Sequence, residues 1–200
     1  YAALTGEIVM SMSGVLWLIF PLLLPLHPLM RWLGLNRAGY LPIRGTLIQD
    51  IVVPALIALG FATTIVGLAR IVNGARRKRL VTNGLYATMR HPQHLGIALW
   101  ALGFALWGSN ILDFLIWFTL VYALTLLAWH EEGSLEKQFG TNYIAYQQNT
   151  PFILPLVPKR GILFRISDGR KIATLTGIYI LGITIIFSVF YFFSVPWSSI

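Results

Sequence analysis

Long apolar segments alternate with short polar ones along the chain. About 20 mostly apolar residues are needed for a helix to cross a bilayer, and most of these segments approach that length. The pattern predicts an all-α polytopic membrane protein with about five transmembrane helices. The second segment is expected to stop near Asn73-Gly74, a typical helix ending. The segments are Ile8 to about Met30, Leu47 to about Val72, Ile97–Trp107, Ile111–Trp129 and Leu175 to about Val195.

The third and fourth segments are separated only by Gly108-Ser109-Asn110, a typical turn sequence. The third segment is short for a full crossing unless its helix begins near His94. We therefore predict a tight helical hairpin over residues 97–129. Its turn should lie near the far leaflet, with Asp113 beside it.

Two polar stretches flank this hairpin. The first polar stretch, Leu80–Gly96, contains Pro, Arg and two His residues and directly follows the basic run Arg76–Arg79. The second polar stretch, Trp129–Pro155, has apolar residues at spacings typical of an amphipathic helix, either at the interface or extending the hairpin. A hairpin returns the chain to the side from which it started. We therefore expect the two stretches to meet at a membrane surface and form a site.

The composition agrees with a membrane protein. The 200 residues are 56% hydrophobic and 11% charged, with a mean hydropathy of +0.72, whereas soluble domains carry about 25% charged residues. We expect one membrane domain over residues 1–200, with two spans in 1–75, a core at 80–155 and a last span at 172–196. The absence of cysteine excludes disulfides, thiolate metal sites and a cysteine nucleophile.

The charge pattern predicts an orientation. The formal net charge is +8, and of the 15 basic residues three lie in the first link, at Arg31, Arg37 and Arg44. The other basic residues lie between Arg70 and Lys171. Because the cations flank apolar spans, they indicate positive-inside topology and contact with anionic membrane lipids rather than nucleic acid. We expect both polar stretches to face the cytoplasm, with the N-terminus inside and the C-terminus outside.

Few reactive side chains remain once the lipid-facing residues are set aside, and three hypotheses compete for them. Carboxylates and aromatic faces suit a cationic or zwitterionic cofactor, and arginine suits a carboxylate or phosphate. Alternatively the histidines and carboxylates bind a metal, although Pro92 argues against a regular helix at His91. In the third hypothesis these side chains are solvated loop residues, with Arg90 and His91 capping helix ends. The residues are Tyr86, Arg90, His91 and His94 in the first polar stretch, and His130, Glu131, Glu132, Tyr143 and Tyr146 in the second.

Their order and spacing resemble the membrane methyltransferase family of isoprenylcysteine carboxyl methyltransferases and their phospholipid methyltransferase relatives. The resemblance covers Leu80 to Pro155, a little over a third of the chain. The residues that carry it are Leu80, Gly84, Tyr86, Arg90-His91-Pro92, Gly96, Glu131-Glu132, Leu135, Phe139-Gly140, Tyr143, Tyr146, Pro151 and Pro155.

The resemblance implies S-adenosylmethionine bound at the cytoplasmic surface and a lipid-like acceptor that enters from the bilayer. Methyl transfer is an in-line displacement at a sulfonium, so the protein mainly positions the reactants and excludes water. Glu131 and Glu132 are then expected to be catalytic, near the transferred methyl or the acceptor. No metal is expected. The residues expected at the cofactor are Tyr86, Arg90, His91, His94, Tyr143 and Tyr146.

Two positions depart from the family pattern. His94 stands where a tyrosine is expected, and Phe152 stands where the family has an arginine associated with the acceptor's anionic group. The loss of that bidentate donor favours a less polar acceptor, or lost activity.

The expected function is methylation of a membrane-embedded lipid or prenylated small molecule. An alternative is a non-catalytic subunit that keeps the fold and binds partner membrane subunits. A third hypothesis is a relative of the membrane sterol reductases, which share an Arg-His-Pro-like segment and use a nicotinamide cofactor.

Overall fold

The computed structural model describes residues 41–43, 45–153 and 168–194. The first predicted span, the three arginines of the first link, Pro155 and most of the basic linker before the last span lie outside these residues. The count of five spans therefore stays a prediction.

The described residues form helices and no strands, which confirms the all-α prediction. A short π-helical segment, Ile48–Val52, leads directly into α1. Three helical stretches are long and apolar enough to cross a membrane, namely Ile48–Arg76, Ile111–Phe139 and Ile172–Tyr191, as expected of an integral membrane protein. The α-helices are α1 (Val53–Arg76), α2 (Leu85–Thr88), α3 (Pro92–Gly108), α4 (Ile111–Phe139), α5 (Thr141–Asn149) and α6 (Asp168–Ser194).

The helices α1 and α3 pack closely because glycines face each other where they cross. A Cβ atom built on Gly96 would lie 2.6 Å from the backbone nitrogen of Thr64 and 2.8 Å from the carbonyl oxygen of Gly60. A Cβ atom on Gly60 would lie 2.7 Å from the carbonyl oxygen of Gly96. Small residues allow backbones to approach in this way in membranes, where packing rather than the hydrophobic effect holds helices together. This contact fixes α3, which begins at the site.

The predicted hairpin is formed by α3 and α4. The indole nitrogen of Trp117 donates a 2.9 Å hydrogen bond to the carbonyl of Ala98 across it. Ser109 adopts a left-handed conformation in the turn, and Asn110 caps α4 by accepting from the backbone nitrogen of Asp113 at 3.1 Å. The backbone nitrogen of Leu41 donates to the carbonyl of Ser109 at 2.9 Å. The turn therefore lies at the same end of the fold as the start of α1.

Both arms of the hairpin are longer than the apolar pattern indicated. The first arm begins at Pro92 and the second continues to Phe139, so the start of the second polar stretch extends the hairpin rather than lying along the interface. Gly140, at φ 54°, ends α4 and starts α5. This extension carries the carboxylates of α4 beyond the apolar segment.

Helix α1 ends at Arg76, two residues after Asn73-Gly74, near which it was predicted to stop. The backbone nitrogen of Lys78 donates to the carbonyl of Ala75 at 3.1 Å, and that of Arg79 donates to Gly74 at 3.0 Å. This is a Schellman ending, with Lys78 at the left-handed position (φ 53°) that glycine usually occupies. Gly74 is instead buried within the last turns.

The last helix, α6, packs on α4 of the same chain. The ring of Tyr179 stacks on those of Phe118 and Tyr122, at centroid distances of 5.8 and 4.5 Å. Hydroxyl contacts of 3.0 Å join Tyr179 to Thr119 and Tyr122 to Thr176. The C-terminal span is therefore attached to the second arm of the hairpin.

Candidate functional site

Backbone hydrogen bonds join the two polar stretches. The backbone nitrogen of Arg90 donates to the carbonyls of Pro151 and Phe152 at 2.9 and 3.2 Å, and that of His91 donates to Phe152 at 3.2 Å. Arg90 and His91 lie in the extended connection between α2 and α3, where Pro92 begins α3. Because Pro92 stops the helix from extending backwards, these two residues can pair with the end of the second stretch. The predicted meeting of the stretches is present in the fold.

The charged side chains of both stretches form one buried cluster. Arg90 forms an ion pair with Glu132, and Nε2 of His91 lies 3.3 Å from Oε1 of the same carboxylate. The amide of Gln147 donates to the other oxygen, Oε2, at 3.1 Å. Glu132 is thus held both from the connection that precedes α3 and from α5.

Glu131 contacts both histidines. Its Oε2 lies 3.5 Å from Nδ1 of His91, and its Oε1 lies 3.7 Å from Nε2 of His94. The rings of His91 and His94 stack at a centroid distance of 5.3 Å. The exposed fractions of Arg90, His91 and His94 are only 1–3%. The hypothesis of solvated loop residues is therefore wrong for these three side chains.

The three predicted tyrosines lie around the cluster but differ in what they contact. The hydroxyl of Tyr86 donates to Oε1 of Gln93 at 2.9 Å and lies 3.2 Å from the carbonyl of Gly67, so it joins α2, α3 and α1. The hydroxyl of Tyr146 donates to the backbone carbonyl of Tyr86 at 2.6 Å. Tyr143 is buried against the Arg90–Glu132 pair, and burial raises the pKa of its phenol. The hydroxyl groups of Tyr86 and Tyr146 therefore stabilise contacts between separate parts of the fold.

The cluster carries more negative than permanent positive charge. Two carboxylates, Glu131 and Glu132, face one guanidinium, Arg90, so the net charge is −1 while His91 is neutral. Burial lowers the pKa of His91, but the two adjacent carboxylates raise it more, and the net shift is upward. A proton on His91 or a bound cation can each balance the excess charge.

Three of these side chains have the chemistry for a metal site. His91, His94 and Glu131 are buried and offer ligand atoms that all lie within 4.8 Å of one another. His130, which the metal hypothesis included, is exposed on α4 and does not belong to this group. Imidazole and carboxylate ligands suit several divalent transition metals, so the geometry leaves both the metal and the cofactor hypotheses open.

A cavity adjoins the cluster. Its walls are mostly apolar, and α1, α4 and α5 all contribute to them. Glu131 lines it whereas Glu132 does not, so the two adjacent carboxylates differ in access. The polar and charged residues that line it are Lys78, Arg79, Tyr86, Arg90, His91, Gln93, Glu131, Gln138, Tyr143 and Tyr146.

Sequence reasoning missed two glutamines. Gln93 follows the Arg-His-Pro motif directly and accepts from Tyr86, and Gln147 is four residues after Tyr143, on the same face of α5. Helical spacing from Tyr143 was a signal that could have identified Gln147. Nothing in the pattern indicated that Gln93 would be buried.

Comparison with known proteins gives a match over the region that builds this site. Residues 45–142 match the family model described as phospholipid methyltransferase. This match covers just under half of the chain. The resemblance found on the sequence motifs is thereby confirmed. The matched region starts earlier than the motifs did, because it includes all of α1 and its glycine contact with α3.

The same region is similar to several isoprenylcysteine methyltransferases. A protein-S-isoprenylcysteine O-methyltransferase of Schizosaccharomyces pombe is 35% identical over 85 residues, which are 40% of this chain and 34% of the relative. Enzyme B of that name in Arabidopsis thaliana is 31% identical over 87 residues, 40% of this chain and 41% of the relative. The Homo sapiens enzyme is 33% identical over 84 residues, 39% of this chain and 28% of the relative.

The matched region thus spans less than half the length of these relatives. No solved structure matches the chain significantly.

Proposed function

We propose that the protein is an S-adenosylmethionine-dependent methyltransferase that acts on a lipid or prenylated small molecule in the membrane. The observation that carries the proposal is the buried cluster in which two carboxylates face one permanent cation beside a cavity. The family match and the names of the relatives support the same reaction class. The proposal places the site at the cytoplasmic surface, because the basic residues around the end of α1 favour that side.

The residues fit a cationic methyl donor. Several buried polar atoms of the cluster have no hydrogen-bond partner among the described residues, including Oε1 of Glu131 and both ring nitrogens of His94. Such atoms are costly unless a ligand satisfies them. S-adenosylmethionine would supply, when bound, an electrophilic methyl group on a sulfonium cation. The excess negative charge of Glu131 and Glu132 would stabilise that cation, and the aromatic faces of Tyr143 and Tyr146 would contribute further.

We assign different roles to the two carboxylates. Glu132 is fixed by Arg90 and Gln147, so it holds the cluster and its charge in place. Glu131 lines the cavity, so its Oε1 is suited to accept a proton from an acceptor hydroxyl or amine as that group attacks. His91 and His94 contact Glu131 and orient its carboxylate.

The apolar walls favour a lipophilic acceptor. Leu80, Val81, Leu135 and Phe139 line the cavity between α1 and α4, the two helices that can cross the membrane beside it. An acyl or prenyl chain gains about 0.8 kcal/mol for each buried CH₂ group. Such a chain would also exclude water from the reacting centre.

Calorimetric titration of the full chain in detergent tests the proposal directly. S-adenosylmethionine should bind in the micromolar range, about −8 kcal/mol. The Glu131→Gln variant keeps the shape of the side chain but removes one charge, so it should bind at least about tenfold more weakly and lose turnover. Gly133→Ala is the control, since a Cβ at this position of α4 meets nothing within 4 Å.

Three results would point elsewhere. Full activity of Glu131→Gln would mean that the site is misplaced. No binding by the folded wild-type protein would favour the non-catalytic subunit, which stoichiometric co-purification of partners would then test. A preference for a nicotinamide cofactor in the same titration would favour the reductase hypothesis.

A further inference from the structure

A second pocket lies at the end of α1, next to the candidate site but separate from its charged cluster. It is formed between the last turns of α1 and the loop that leads to α2. Three arginines and three neutral polar side chains supply its polar groups. Its lining residues are Arg70, Asn73, Gly74, Arg77, Arg79, Leu80, Val81, Thr82 and Asn83.

The arginines of this pocket have no carboxylate partner in the part of the chain that the structure describes. Arg70 donates from Nη1 to Oδ1 of Asn83 at 3.1 Å, and none of the ion pairs found involves Arg70, Arg77 or Arg79. The sequence has no Asp or Glu between Asp50 and Asp113. The pocket therefore differs from the candidate site, where Arg90 is matched by Glu132.

The pocket has a defined shape because its loop is fixed to α1. The Schellman ending sets the direction of the chain at Arg79, and Val81 packs onto Gly74 so closely that a Cβ there would overlap its side chain. Gly84, at φ 64°, lies against the guanidinium of Arg70, where a Cβ would be 3.1 Å from Cζ. The backbone thus holds the arginines around one concavity.

The electrostatics favour an anion. The carbonyl end of a helix carries roughly half a negative charge, whereas three guanidinium groups contribute three positive charges. The planar donor array of arginine matches the oxygens of a phosphate, often in a bidentate manner. Asn73, Thr82 and Asn83 add neutral groups that can hydrogen-bond to the same oxygens.

The position favours a lipid over a soluble anion. The pocket lies at the end of a helix that can span the membrane, which is the depth of the headgroups. It shares Arg79, Leu80 and Val81 with the apolar cavity of the candidate site. An anion held here can therefore carry an acyl chain that continues along an apolar surface.

We propose that this pocket binds the phosphate of an anionic phospholipid headgroup, held by the guanidinium groups of Arg70, Arg77 and Arg79. This site is separate from the methyl-transfer centre and does not require that the proposed function be correct. A lipid bound there would lie beside the apolar cavity of the candidate site and would hold the end of α1 at the membrane surface.

Native mass spectrometry of the full chain in a non-ionic detergent tests the proposal with short-chain probes. Dioctanoyl phosphatidylglycerol should bind the wild-type protein, and dioctanoylglycerol, which lacks the phosphate, should bind at least tenfold more weakly. The Arg70→Gln/Arg77→Gln variant should lose at least tenfold in affinity for the anionic probe. The control Arg76→Gln/Arg170→Gln removes the same charge from exposed arginines outside the pocket and should bind as the wild type does.

Specific outcomes would overturn the proposal. Equal losses in the two double variants would mean that only the overall charge matters. Binding of sn-glycerol 3-phosphate or inorganic phosphate as tightly as the lipid would assign the pocket to a soluble anion. Should the glutamine variant fail to fold, Arg70→Lys/Arg77→Lys keeps the charge and removes the guanidinium forks, and unchanged affinity in that variant would also contradict the proposal.

Discussion

The ring of Phe152 lies beneath the guanidinium of Arg90, with 5.4 Å between Cζ and the ring centroid. The same ring meets His91 edge-on at a centroid distance of 5.0 Å. Phe152 stands where the resemblance led us to expect an arginine, and an arginine here would place a second cation beside the first. Although the sequence lacks the expected arginine at this position, the phenylalanine in its place is part of the packing that holds Arg90 and His91.

Replacing Phe152 with Ala should weaken the cluster. The variant loses a cation–π contact, worth about 0.5–2 kcal/mol, together with the packing of the ring against His91. We expect a lower midpoint of thermal unfolding and weaker binding of S-adenosylmethionine. Phe152→Tyr keeps the ring and serves as the matched control. An unchanged midpoint for Phe152→Ala would show that the ring contributes nothing to holding Arg90.

The His91 imidazole should make stability depend on pH. Its folded-state pKa is raised above 6.5 by Glu131 and Glu132, so the stabilisation is complete below that value and is lost as pH rises through the folded pKa. The wild-type protein should therefore exceed His91→Gln in unfolding free energy most at low pH, and the difference should shrink in alkaline buffer. His130→Gln, at an exposed histidine, is the control.

Denaturant unfolding at several pH values above and below 6.5 measures this difference. A gap between wild type and His91→Gln that stays constant or grows with pH would contradict the upward shift of the His91 pKa by the two carboxylates.

The glycine contact between α1 and α3 should tolerate no added side chain. Gly96→Ala places a Cβ against the backbone of Thr64 and Gly60, and overpacking of this kind costs about 1–3 kcal/mol. Gly133→Ala, in an open position on α4, should be neutral or stabilising by up to about 1 kcal/mol. Thermal unfolding in detergent compares the two. Equal midpoints for the two variants would mean that α1 and α3 are farther apart than described.

Single cysteines can test the orientation, since the chain has none of its own. Position 45 lies near the start of α1, whereas exposed positions 78 and 148 lie at the opposite end of that helix and on α5. A membrane-impermeant maleimide should label 78 and 148 from the cytoplasmic side and 45 from the other. Labelling of 78 and 148 from different sides would contradict the joined site. Labelling of both from outside would contradict the predicted orientation but would still agree with the joined site.

The apolar pattern predicted the hairpin and the meeting of the polar stretches because turn signals and helix lengths are local properties. The pattern could not predict which side chains each of the two carboxylates would contact. Glu131 and Glu132 are adjacent in sequence, and only the packing of α4 against the start of α3 decides that Glu131 contacts both histidines whereas Glu132 contacts Arg90 and His91. The same holds for Tyr86, whose hydroxyl contacts Gln93 and Gly67 through the approach of α1 and α3 rather than through any motif.

The end of α1 is another feature that the sequence pattern could not predict in full. Asn73-Gly74 is a sound stop signal by composition, yet the glycine is used for the close approach of Val81 and the chain turns at Lys78 instead. A glycine in a sequence signals either a backbone conformation or a lack of space for a side chain. Only the tertiary contact separates these two uses.

The bond from the hydroxyl of Tyr146 to the carbonyl of Tyr86 joins residues 60 positions apart. Ribosomes add about 5–20 residues per second, so the second half of the site leaves the ribosome roughly 3–12 seconds after the first. Until α4 has followed, the nascent chain carries Arg90 and two histidines without the carboxylates that later contact them. A chain interrupted before α5 would therefore lack Tyr146 and Gln147, which hold Tyr86 and Glu132 in the complete site.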